Sequence, residues 1–210
     1  MTGQRSDFTR NERRIVDAAA RLLAARPSTG MSEIAAAAGL GRATLYRHFP
    51  TREALIAGLR AEAADAVDAV LARHGAAAPA DAPAAGEPAG APASGSAGAG
   101  GGRPADGFAT LVEELLDVGE RYRIVFADGD DERTREEARR RFELPLTALV
   151  EQAQARGELD RELPPQWIVV ALRSVLEGLL AARADGRIGG ADARRLAVRA
   201  LLCGVGAPDP

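Results

Sequence analysis

Residues 42–52 carry a run of small or hydrogen-bonding side chains, among them Arg42, Ala43, Thr44, Tyr46, Arg47, His48 and, after a Pro-Thr break, Arg52. A guanidinium offers parallel N–H donors, the pattern that phosphate oxygens or the acceptor edge of a guanine accept. The spacing is that of reversible recognition of a nucleic acid. Such side chains need a protruding rigid element, and residues 31–52 read as two short helices joined by a tight turn. Ile34, Ala35 and Ala38 form the apolar face of the first helix. Gly39 stands where the chain must leave that helix in a left-handed conformation, and Leu40 turns inward. Ala35, Gly39 and Leu45 supply the small residue, turn glycine and buried aliphatic of a helix-turn-helix, with a second helix expected over about 42–48. Ser32, at the start of the first helix, can either bind a phosphate or cap the helix.

The run Thr44-Leu45-Tyr46-Arg47-His48-Phe49, preceded by Ala38-Gly39-Leu40 and followed by Arg52-Glu53-Ala54-Leu55, resembles the DNA-binding signature of the TetR family of bacterial transcriptional regulators. The match covers roughly residues 10–60. The resemblance implies an all-α fold: an N-terminal three-helix helix-turn-helix domain, then a C-terminal helical ligand-binding and dimerisation domain. It also implies that Thr44, Tyr46 and His48 lie mainly on backbone phosphates, with Arg42, Ala43 and Thr44 near base edges and Arg47 on the same helix. Arg52 occupies the place of the family's phosphate-binding lysine. One departure is Gly41, where the family usually has a capping serine, a loss of only about a few tenths of a kcal/mol.

Charge points the same way without the resemblance. Residues 1–52 hold nine arginines against four acidic residues, whereas the remainder holds eighteen against twenty-six, for a net charge of −3. A basic segment on an acidic body attracts phosphate locally and repels it elsewhere. The basic residues are all arginine, and the one cysteine, Cys203, excludes an intrachain disulfide and suits a reducing cytoplasm. No apolar signal core opens the chain, and the apolar run 167–182 is broken by Arg173 and Glu177, so membrane insertion is not expected.

The first helix is expected over about 10–25, with Thr9 and Glu12 spaced as a capping box and Ile15, Ala18, Ala19, Leu22 and Leu23 as its buried stripe. A helix over about 52–73, capped by Thr51, connects the halves. The expected domains are 1–51, for DNA, and 52–210, for regulation and dimerisation, the latter comprising the connecting helix 52–74 and a flexible low-complexity insertion, 75–107. In that insertion twenty-nine of thirty-three residues are Ala, Gly, Pro or Ser, too little apolar surface to offset its ordering entropy. Further helices are expected from near Leu111 to Ala127, then over about 131–142, 145–156, 165–184 and 191–203.

A single helix-turn-helix makes few base contacts, and symmetric dimers solve this by reading two half-sites. The apolar coverage of the last two helices exceeds one core face, so Ile168, Leu172, Val175, Leu176, Leu179, Leu196, Ala200 and Cys203 are candidates for a homodimer interface. Candidates for an effector pocket are Leu115, Tyr122, Phe126, Phe142, Leu146, Leu149, Trp167 and Ser174, a set suited to a largely apolar ligand. Two histidines and one cysteine assemble neither a metal set nor a catalytic triad, so no enzyme, cofactor or metal is expected. The reading is a homodimeric regulator, a repressor released from double-stranded palindromic operator DNA by a small molecule. The alternative is a dimeric DNA-binding or architectural protein without an effector.

Overall fold

A computed structural model describes residues 2–76, 106–123, 137 and 139–205. Most of the expected insertion (77–105), Phe126 and most of the helix expected over 131–142 lie outside them. The described helices are α1 (Thr2–Ala25), α2 (Met31–Ala37), α3 (Arg42–His48), α4 (Arg52–Arg73), α5 (Asp106–Arg121), α6 (Leu144–Arg156), α7 (Pro165–Ala184) and α8 (Gly190–Val205), with a wide π-type turn at Arg139–Glu143 leading into α6. Among the described residues there is no strand, and no helix is long and apolar enough to cross a membrane.

α1 begins at Thr2, eight residues before the expected start, so Thr9 lies in its interior and does not cap it. Residues 2–9 contain no proline to stop the helix from extending upstream. Two apolar cores form. The amino-terminal one gathers Ile15, Ala19 and Leu23 of α1, Ile34 and Ala35 of α2, Leu45 of α3, and Leu55, Leu59 and Ala63 of α4. Tyr122, just past α5, is buried with this group, and Val118 packs against it. The second core joins Val70 and Leu71 at the end of α4 to Leu111, Val112 and Leu116 of α5, Leu149 and Val150 of α6, Ile168 and Leu172 of α7, and Ala197 and Leu201 of α8. α4 thus runs through both cores and α5 ends in the first. Where α5 passes α7, Gly119 lies close, and a Cβ there would stand 2.7 Å from Leu180 Cδ1.

Thr51 caps α4 as expected, its Oγ1 accepting from Ala54 N at 3.1 Å. Its replacement by alanine is expected to lower stability by about 1 kcal/mol, read as a shift in urea midpoint. Backbone N–H donation at Glu53, and after it the Thr51 hydroxyl, hold the Glu53 carboxyl below its ordinary value of 4.5. A lowered folded value means stability present at neutral pH and lost as the pH falls through that value. Glu53→Gln is therefore expected to flatten the acid limb of the stability curve below about pH 5, checked by urea titrations across that range.

Candidate nucleic-acid interface

The helix pair is set by its turn. Gly39 has φ +67°, Gly39 N donates to Ala36 O at 3.0 Å and Leu40 N to Ala35 O at 2.9 Å. This double closure satisfies the last carbonyls of α2 and redirects the chain, and the positive φ is one that a side chain rarely tolerates. Three residues later α3 begins, with Gly41 at its start providing no side-chain cap. Leu45 alone on α3 is fully buried. With that face fixed inward, Arg42, Ala43, Tyr46 and Arg47 stand exposed and Thr44 half-buried beside them.

Arg42 and Arg47 have no hydrogen-bond or ion-pair partner among the described residues. The acid on the neighbouring helix, Glu33, is engaged by the Arg26 guanidinium. Two guanidiniums, unpaired among the described residues, therefore project from a short helix, the arrangement needed to donate to phosphate oxygens or guanine acceptors in a major groove. Ser32 is exposed on α2 nearby.

Two expected contacts are engaged by the chain itself. The Arg52 guanidinium donates from Nη1 to Thr29 O at 2.7 Å and from Nη2 to Pro27 O at 2.5 Å. These carbonyls lie in the α1–α2 turn, where Thr29 is buried and its hydroxyl donates to Arg26 O at 2.7 Å. In this conformation Arg52, expected on a phosphate, fastens the start of α4 to the turn that launches α2. Sequence reasoning missed this because the partners are backbone oxygens, which every residue possesses. His48 is half-buried, its ring 4.0 Å from that of Phe8 between centroids, and its Nδ1 has no hydrogen-bond partner among the described residues. Phe8 thus brings the early turns of α1 beside the recognition helix. Nothing in the periodicity signalled this, since Phe8 lies outside the buried stripe.

Similarity decides what kind of helix pair this is. Residues 15–59 match the family described as bacterial regulatory proteins, tetR family. The likeness to that family lies in the helix-turn-helix and the helices flanking it. Among curated proteins, 64 residues are 41% identical to the HTH-type transcriptional repressor LfrR of Mycolicibacterium smegmatis, covering 30% of this chain and 34% of LfrR. Another 44-residue match is 64% identical to an uncharacterised HTH-type transcriptional regulator of Mycobacterium tuberculosis, covering 20% of this chain and 22% of that one. The chain thus matches about a third or less of these relatives' own lengths. Over nearly the whole fold it is similar to the TetR-like regulator LfrR solved in complex with proflavine, at a TM-score of 0.62 and 25% identity, covering 95% of this chain and 98% of that one. A TetR family regulator from Marinobacter aquaeolei gives 0.57 at 20% identity, covering 98% and 99%, and supports the fold alone.

The expected sites in the carboxy-terminal half of the chain fall in different places. Leu149 is inside the second core, and Leu115, Phe142 and Leu146 pack against it. Tyr122 belongs instead to the amino-terminal core, while Trp167, at 50% exposure, and Ser174 face outward. The seven described candidates are thus split between the two cores and the surface. Of the expected dimer residues, Ile168 and Leu172 are consumed inside the chain's own core, and Val175, Leu176 and Leu179 are half-buried against it. Periodicity finds an apolar stripe but not which neighbour covers it. The outward set is Val170, Leu196, Ala200 and Cys203. Among the described residues no group of three or more His, Cys, Asp or Glu could hold a metal.

The halves are tied by charge as well as packing. Arg141, in the π-type turn, donates from Nε to Asp68 at 2.9 Å and from Nη2 to Asp65 at 2.6 Å, gripping the middle of α4. Hydrogen bonding to Asp68, foremost, strengthens its hold on its proton. At the far end of α5, Arg121 pairs with Asp17 of α1.

Proposed function

We propose that this chain is a ligand-responsive, DNA-binding transcriptional regulator, a cytoplasmic homodimeric repressor that releases a palindromic operator when a small molecule binds its carboxy-terminal half. Residues 1–51 read DNA and residues 52–210 regulate and dimerise; catalysis has no part in this reading. The observation that carries it is the open pair of guanidiniums, Arg42 and Arg47, on a helix whose opposite side is locked by Leu45.

Two half-sites about 34–36 Å apart, one helical turn or a multiple of it, suit two such helices related by a two-fold axis. The outward apolar side chains Val170, at 50% exposure, and Leu196, at 39%, lie on the last two helices and supply a self-complementary patch. Effector binding would act through α4, which runs from the DNA-reading core to the regulatory core and is gripped midway by Arg141. Ser32, Thr44, Tyr46 and His48 would supply further contacts around the two arginines.

Selection from random duplexes followed by gel titration at several salt concentrations tests the reading. Two-fold symmetric sites bound by a dimer, with affinity falling steeply with salt, are expected. Sequence-indifferent binding would reject it. Proflavine, the ligand in the similar LfrR structure, is a first probe for the effector. Linkage requires an inducer and operator to weaken each other by one common factor, typically about 5–150-fold, so equal ligand affinity for free and operator-bound protein would leave the effector-free alternative standing for that ligand.

A further inference from the structure

Away from the recognition helix, the ends of three helices surround an open cleft of about 290 Å³, lined by Arg21, Ala24 and Ala25 of α1, Glu120 and Arg123 at the end of α5, and Leu180 and Arg183 of α7. Three guanidiniums face one carboxylate there. Glu120 is already engaged by Arg183, both half-buried, while Arg21 and Arg123 have no hydrogen-bond or ion-pair partner among the described residues. Among the described residues the cleft thus concentrates two positive charges without a paired carboxylate, in a chain whose net charge is −3. Its concave, partly apolar walls reduce the solvent that screens those charges and so strengthen their attraction for an anion.

We propose that this cleft is a ligand site for a small organic anion carrying two negative charges on an apolar body. Arg21 and Arg123 approach from different helices, so two acidic groups satisfy both, and Arg guanidiniums grip carboxylates through paired charge-assisted hydrogen bonds. Ala24, Ala25 and Leu180 give the hydrocarbon part a surface to cover. Neither the DNA-reading face nor the candidate effector residues take part, so the inference stands apart from the proposed function. Because α1 carries the helix-turn-helix on one side of the cleft and α5 and α7 belong to the second core, an occupant clasps the two halves together. By linkage its binding alters DNA affinity to the extent that DNA binding changes that clasp.

Calorimetric titration of the full chain with phthalate, an aromatic dicarboxylate, is the test, with benzoate and inorganic phosphate at matched ionic strength as comparisons. Phthalate is expected to saturate one site per chain and to bind about tenfold or more tightly than either comparison anion, as the loss of one charged hydrogen-bonding partner or of the apolar contact implies. Arg21→Ala and Arg123→Ala are each expected to weaken it by about tenfold or more. Arg21 is exposed and Arg123 half-buried, neither with a partner among the described residues, and far-UV circular dichroism verifies that the variants remain folded. An Arg42→Ala, Arg47→Ala double variant is expected to bind phthalate as the parent does. Absence of saturable binding, phthalate held no more tightly than phosphate, binding that survives loss of both Arg21 and Arg123, or binding lost with Arg42 and Arg47 would each overturn the proposal.

Discussion

Leu45→Ala is expected to destabilise the amino-terminal core by about 2–5 kcal/mol, the range for truncating a fully buried leucine, and to remove most operator affinity. Leu45 is the single fully buried side chain of the seven-residue α3. A helix of two turns has no stability of its own in water, so its orientation is whatever that one anchor and the following Phe49, itself buried, impose. A cavity at Leu45 leaves Arg42 and Arg47 on a helix free to rock, and the order lost must then be restored on DNA. Urea unfolding followed through the helical signal gives the stability, and duplex titration on the folded fraction gives the affinity. Unchanged affinity in a destabilised variant would show that Phe49 and the turn hold the recognition helix without Leu45.

Arg42→Ala and Arg52→Ala are expected to fail in different ways. Loss of Arg42 removes an open guanidinium and leaves the fold untouched. Its expected signature is an unchanged melting temperature with loss of about 1–3 kcal/mol of discrimination at one base pair. Loss of Arg52 strips two donors from the carbonyls of Thr29 and Pro27. Those oxygens lie at a part-exposed site where water can replace the guanidinium in part, so the melting temperature falls modestly and α2 loses its fixed relation to α4. Operator affinity falls with it. The salt dependence separates the two roles of Arg52: a lost phosphate contact reduces the slope of log affinity against log salt by about one, and loss of an internal clamp leaves the slope as it was. A slope reduced by one, at unchanged melting temperature, would return Arg52 to the phosphate backbone.

The parts legible from sequence are those governed by neighbours in the chain. Gly39, Leu45, the Thr51 cap and the ends of α3 and α4 follow from local sterics, helical period and cap chemistry, and the structure has them where those rules put them. The upstream extension of α1 was illegible because Thr9 and Glu12 satisfy the spacing of a cap equally well in the middle of a helix. Long-range pairing was illegible for a deeper reason. Asp17 and Arg121 are separated by 104 positions, and each is, on its own, one more surface charge. Tyr122 falls on the same helical period as Leu111 and Leu115, so the spacing that identified it as apolar and inward gave no hint that the helix would change cores before reaching it. Ile168 and Val170, two residues apart, end up on opposite sides of α7, one sealed inside and one open. Composition treats them alike.

The burial of Tyr122 in the amino-terminal core bears on how such a chain can be recombined. A crossover at residues 51 and 52 would appear to exchange a reading head for another while keeping the sensor. It would instead hand the incoming head a tyrosine and an arginine matched to a different α1, while the donor's own plug stayed behind with its discarded partner. The exchangeable unit is therefore discontinuous: the head together with the segment around Val118 to Tyr122, some seventy residues downstream. Grafts that carry both pieces preserve the seam, and grafts that carry the head alone open a void in one core and strand an unmatched guanidinium at its edge.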